Sequence, residues 1–194
     1  GGLVLCDEVQ PGFGRTGTHM WGHQKAGIVP DVVTLGKPMG NGHPIGGVVA
    51  SADTLNAFRK AFRYFNTFGG NPVSCAAAMA VLHVLEEEKL QANALEVGAY
   101  ARQGLQKLAE KYALIGNVRG SGLFFGAELV LDRQEKTPAS DIATRVINEM
   151  RERGVLMGKL GIHQNATKIR PPMPFTKENA DFMLSTLDDV LGVL

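Results

Sequence analysis

Cysteine is scarce in these 194 residues, there is a single tryptophan, and neither sign of charge prevails, with Lys+Arg 20 against Asp+Glu 19. Cys6 and Cys75 stand far apart in apolar surroundings with no His or Cys partner at ligand spacing. This argues against a disulfide scaffold or a cysteine-based metal centre and predicts two buried, reduced thiols and no metal. No basic run is long enough to track a phosphate backbone, so a nucleic-acid partner is not expected. Every apolar run is interrupted by Gly, Pro or charge well before about 18 residues, so a membrane span is not expected either. Together with reduced cysteines and no signal segment ahead of the first apolar run, this predicts a cytoplasmic protein.

What is present is the vocabulary of an α/β fold. Leu3–Cys6, Val32–Leu35 and Ile45–Ala50 are short, continuous apolar runs bounded by Asp and Gly, the pattern of strands buried on both faces of a sheet. Gly1-Gly2 leads straight into the first of them with no capping turn, which predicts a chain cut from within a longer protein. Residues 12–31, rich in Gly, Thr and His, predict a long loop or a short helix. Asn71 followed by Pro72 has the form of a helix start, and the Ala, Leu and Glu content over 74–95 predicts one long helix, followed by a second over about 96–112. A β-like run at 118–130, an amphipathic helix at 141–153, short strands at 155–157 and 168–170 and a closing helix at 177–191 predict a separate small α/β domain. The expected division is 1–85, a connecting helical region 86–110, and 111–194.

Asp7 ends the first predicted strand and Lys37 follows the second, so both belong to the edge where open α/β sheets bind ligands. A lysine hemmed in by Gly36, Pro38, Gly40 and Gly42 is an unusual choice, because its ammonium is seldom withdrawn from water without a return. Schiff-base chemistry is one such return, since a desolvated lysine amine becomes nucleophilic. A lysine that merely snorkels to the rim leaves the same pattern.

Three segments, DEVQPGFGRTG at 7–17, PDVVTLGKPMGNGHPIGG at 30–47 and NTFGGNPVSCAAA at 66–78, resemble in order and spacing the signature segments of class III aminotransferases. The resemblance continues through VRGSGLFFGAELV and KIRPPMPFT to the end of the chain, and it lacks the family's N-terminal half. It implies the pyridoxal-phosphate-dependent transferase fold type I, here as the C-terminal part of the large domain plus the small C-terminal α/β domain. It implies pyridoxal 5'-phosphate as cofactor, small-molecule amine and oxo-acid substrates, and a homodimer with shared active sites. Residue by residue, Asp7 matches the aspartate that pairs with the pyridine nitrogen and so keeps the ring able to accept electrons. Val9 matches the residue packed on the ring face, and Gln10 the one bonded to the ring hydroxyl. Lys37 matches the lysine that forms the Schiff base and carries the proton. Thr67 matches the threonine that reaches the cofactor phosphate of the neighbouring subunit; alone it reads equally as a turn residue.

Near Pro171-Pro172-Met173 the family often has an arginine for a substrate carboxylate, where this chain has Lys168, with Arg170 two residues on. Strand alternation puts Lys168 and Arg170 on one side, and either can meet an anion, though only arginine offers a bidentate fork. This departure resembles the branch of amino-phosphate phospholyases and their alanine–glyoxylate aminotransferase relatives. The expected activity is amino-group transfer through a Lys37 Schiff base; a phospholyase, or an inactive truncated domain, are the alternatives.

Other patterns read as structural. Gly12, Gly14 and Gly17 fit a dinucleotide fingerprint only formally, because no convincing helix follows. His19 and His23 have zinc-like spacing without an accompanying glutamate, so a surface or loop-packing role is the expectation. His43 is expected to bond backbone first, with an approach to the cofactor as its other reading.

Overall fold

A computed structural model describes all of residues 1–194, which form two compact units, Gly1–Gln91 and Ala92–Leu194. The first holds a three-stranded sheet in which β1 (Leu5–Asp7) runs parallel to β2 (Val32–Leu35), and β3 (Gly47–Ala50) runs antiparallel to β2. Between β1 and β2 the chain makes a long loop with one short helix, α1 (Gly22–Lys25). Lys37–Met39 forms a 3₁₀ turn directly after β2, with Pro38 at its start. Helix α2 (Ala52–Ala61) is capped by the Ser51 hydroxyl, which accepts from the Thr54 N–H. Helix α3 (Pro72–Glu87) is capped by Asn71, whose side-chain oxygen accepts from the Ser74 N–H, with proline at the first turn where a missing N–H costs nothing.

The expectation of strands buried on both faces does not hold in this unit. Val48 and Val49 of β3 are 59% and 58% exposed, and of the chain's buried apolar residues only Phe13 and Leu90 fall within the first 91. A continuous apolar run reports what a strand is able to bury, whereas actual burial requires elements on both faces, and a sheet of three short strands gathers too few. Cys75 is likewise exposed and Cys6 half-buried rather than both being interior, although both are free thiols.

The predicted long helix over 74–95 is two helices, α3 and α4 (Leu90–Lys111). They separate at Lys89, whose φ of 51° is left-handed and incompatible with a continuing helix.

The second unit has an antiparallel sheet of order β4-β5-β7-β6, from β4 (Ile115–Ser121), β5 (Phe124–Leu129), β6 (Gly158–Leu160) and β7 (Ala166–Lys168). The predicted run over 118–130 is thus a hairpin that turns at 122–123. Along β5, Phe125, Ala127 and Leu129 are buried in strict alternation. Ala94, Val97, Ala101, Leu105 and Leu108 mark the buried face of α4 at helical spacing. Ala143, Val146 and Met150 do the same on α5 (Ser140–Glu152), and Ala180, Met183, Leu187 and Val190 on α6 (Lys177–Gly192). These residues form one continuous core. Its two buried polar side chains on the sheet are satisfied: Asn165 Nδ2 donates to Leu129 O at 2.8 Å, and Thr167 Oγ1 accepts from Ala127 N–H at 2.8 Å. No helix is long and apolar enough to cross a membrane.

Candidate active site

The parallel register of β1 and β2 sets Asp7 beside Thr34, so Asp7 and Lys37, just past Leu35, occur at the same carboxyl-terminal edge. The chain leaves β1 in a tight turn in which Asp7 Oδ1 accepts the Val9 N–H at 2.9 Å, an arrangement aspartate favours because its short side chain reaches the backbone two residues on. Val9 is thereby directed toward β2: a methyl group on Gly36 would lie 3.5 Å from Val9 Cγ2. An acidic side chain, an apolar side chain and the turn that carries Lys37 therefore meet at one sheet edge, with Gln10 next along the loop.

Lys37 has a φ of 38°, and Asn41 a φ of 45°. Left-handed backbone at residues other than glycine persists only where surroundings impose it, and it gathers at functional sites. Asp7 and Lys37 are both exposed.

Glu8, between Asp7 and Val9, points the opposite way and is 1% exposed. Its carboxylate accepts the backbone N–H groups of Gly22 and His23, each at 2.8 Å, and lies 2.8 Å from His23 Nδ1. This buried clasp holds the long loop to the end of β1, and Phe13 packs edge-on against Trp21 within the same loop, ring centres 5.0 Å apart. Glu8 was not singled out by sequence reasoning, which used only its neighbours; the available signal was a second carboxylate directly after a strand end. His23 takes the expected loop-packing role, and no group of three metal-ligating side chains occurs.

Thr67 lies exposed in the turn that precedes α3, where Phe68 N–H donates to Asn66 Oδ1 and Asn71 N–H to Phe68 O. His43 departs from expectation: its side chain bonds Ser74 Oγ at 2.8 Å rather than backbone. In the second unit, burial alternates from Thr167 to Arg170, so Thr167 and Ile169 enter the core while Lys168 and Arg170 line a pocket of about 750 Å³. Arg170 sits over the Phe124 ring, 5.2 Å from its centre. Met157, Phe175 and Phe182 supply apolar wall to that pocket.

The mixed α/β fold of the chain is that of fold type I, pyridoxal-phosphate-dependent transferases, as its likeness to solved structures shows. Over 100% of the chain it superposes on a phospholyase from Arthrobacter in complex with phosphoethanolamine, with a TM-score of 0.95 and 48% identity, covering 46% of that protein. It superposes likewise on an amine transaminase from an uncultivated Pseudomonas species in its PLP-bound form, with a TM-score of 0.89 and 35% identity over 98% of the chain and 44% of that protein. The aminotransferase class-III family model matches residues 1–191, and the chain belongs to that family. Among curated proteins, it is 49% identical to alanine–glyoxylate aminotransferase 2 homolog 2, mitochondrial, of Arabidopsis thaliana, over 97% of this chain and 39% of that protein. It is 41% identical to ethanolamine-phosphate phospho-lyase homolog 1 of Caenorhabditis elegans, over 100% of this chain and 42% of that protein. The chain therefore spans about two fifths of the length of such relatives.

Proposed function

We propose that this chain is the lysine-bearing part of a pyridoxal-phosphate-dependent aminotransferase that moves an amino group from an amine or amino acid to an oxo acid. The observation that carries the reading is the joint placement of Asp7, Val9 and the left-handed Lys37 turn at one edge of a parallel strand pair. These residues fit the cofactor by their chemistry: a carboxylate for a protonated ring nitrogen, an apolar side chain for a ring face, and a primary amine for the aldehyde carbon. When bound, pyridoxal phosphate supplies an electron sink for the carbon attached to the substrate amine.

Within that reading Asp7 retains the proton on the ring nitrogen, and Gln10 bonds the ring hydroxyl. Lys37 would hold the cofactor through its amine, and the same amine is placed to take and return the substrate proton. Thr67 binds the cofactor phosphate of a second subunit, which makes the working unit a homodimer with shared sites. Lys168 and Arg170 supply positive charge for an anionic group of the substrate. A domain division at 1–85, 86–110 and 111–194 and a cytoplasmic location complete the proposal; the free thiols suit a reducing compartment.

A phospholyase is the second reading, favoured by the pairing of Lys168 with Arg170 in one pocket and by the Arthrobacter phospholyase similarity. The two are told apart with the full-length protein and phosphoethanolamine. Release of inorganic phosphate and ammonia without an oxo acid identifies the lyase. Consumption of an amine only when an oxo acid such as glyoxylate is present, with no phosphate released, identifies the aminotransferase.

A further inference from the structure

The turn after β2 is closed on itself. Gly40 N–H donates to Lys37 O at 3.4 Å, Asn41 N–H to Pro38 O at 3.3 Å, and His43 N–H to Gly40 O at 3.0 Å. It folds back so closely that a methyl group on Gly40 would stand 2.1 Å from His43 O. Those bonds are local, and local bonds alone do not commit Lys37 and Asn41 to left-handed backbone, which residues with a Cβ leave readily when nothing outside the turn restrains them.

Beside the pairing of Leu35 with Gly47, which closes the ends of this segment, the restraint on its middle is the His43 side chain. Its Nε2 lies 2.8 Å from the hydroxyl of Ser74, in the first turn of α3 and only 8% exposed. That hydroxyl is held in turn by Asn71. Asn71 Oδ1 accepts the Ser74 N–H at 2.9 Å, and Asn71 Nδ2 donates to Phe68 O at 2.8 Å, so the orientation of that amide is settled. Asn71 Nδ2 also donates to Ser74 Oγ at 3.0 Å. The hydroxyl, an acceptor toward Asn71, keeps both a proton and a second lone pair, so it bonds His43 Nε2 in either tautomer of the ring. A single chain of side-chain bonds thus runs from the Lys37 turn, through His43, Ser74 and Asn71, to the turn that contains Thr67.

We infer that His43 is a positioning residue: through its bond to Ser74 it ties the Lys37 turn to the start of α3 and keeps Lys37 in its left-handed, ligand-ready conformation. The significance of that conformation rests on the proposed role of Lys37, whereas the tie itself does not. His43 touches no reacting atom in this assignment and acts through the backbone of the turn.

The test uses the full-length protein and the variants His43→Ala, Ser74→Ala, the double variant and His43→Gln, the last keeping a hydrogen-bonding amide near the position of Nε2. In cofactor-free protein, amide exchange at Gly40, Asn41 and His43 is expected to quicken about tenfold in either alanine variant, the effect of losing one partly buried hydrogen bond. The double variant is expected to go little further, because both alanines remove the same link. His43→Gln is expected to return to within about threefold of the parent. Exchange along β5 serves as the control for global unfolding. In the same series, the rate at which borohydride fixes pyridoxal phosphate on Lys37 should fall in parallel with faster exchange and recover in His43→Gln. Unchanged exchange in His43→Ala, or alanine effects that simply add, would overturn the tie. Loosened exchange with an unaltered fixation rate would overturn the positioning role. Absence of label on Lys37 in the parent itself would instead sink the proposed function, and the exchange results would still decide on the tie.

Discussion

Replacing Glu8 by alanine removes an acceptor that takes two backbone N–H groups and faces His23 Nδ1, all at 2.8 Å. Hydrogen bonds to a charged group contribute about 1.5–3 kcal/mol each, and truncating one member of a buried pair costs about 3–5 kcal/mol in total. The His23 side chain keeps 16% exposure, so water reaches one flank of the clasp and the lower end, about 3 kcal/mol, applies. At about 1.36 kcal/mol per decade, the amides of Gly22 and His23 should exchange about a hundredfold faster in Glu8→Ala. Glu8→Gln keeps one acceptor oxygen but turns an NH₂ toward the other donors, so about a tenfold increase is expected. Hydrogen exchange read by mass spectrometry on peptides covering 12–27 gives the answer directly. Exchange within twofold of the parent in Glu8→Ala would refute the reasoning, because it would mean that water or a rearranged loop satisfies these donors as well as the carboxylate does.

In the second unit, Gly98 on α4 leaves no room for a side chain, a Cβ there falling 2.1 Å from the carbonyl oxygen of Gly122, and Gly98→Ala should destabilise by about 2–3 kcal/mol, read as a lowered denaturation midpoint. A clasp at the end of α4 sets a pH dependence. Lys111 donates to Asp188 at 2.7 Å and Tyr112 at 2.6 Å, and these bonds, the lysine's first, hold the Asp188 carboxyl below its ordinary range. The hydrogen bond to Asp188 likewise raises Lys111. A lowered carboxyl contributes stability above its unfolded value and loses it as pH falls through the folded one; a raised lysine contributes below its unfolded value and loses it as pH rises through the folded one. The stability difference between the parent and Asp188→Asn should therefore be level through neutral pH and vanish in acid below the ordinary aspartate range; a difference unchanged in acid would contradict it.

Much of this architecture is readable from residue patterns. β2 spans Val32–Leu35 as its apolar run predicts, and α6 and the Asn71-capped start of α3 follow from period and capping chemistry. The break between α3 and α4 is not marked by glycine or proline, and a lysine accepts the left-handed position instead, so composition runs on smoothly through it. Burial in the first unit was misread because apolarity is a property of the strand while burial is a property of its surroundings. The edge that unites Asp7 with Lys37 is legible from two strand ends. The Glu8 clasp and the His43–Ser74 link are not, since both join residues distant in sequence and need the register of the fold before they exist.

The central claim, that Lys37 is the cofactor lysine, is tested most directly by the absorbance of the full-length protein with pyridoxal phosphate before and after borohydride, followed by peptide mapping. The account predicts a visible band that disappears on reduction, with the label on Lys37 alone and none in Lys37→Ala. No band, or a label on another lysine, would contradict it and return Asp7 and Lys37 to purely structural roles.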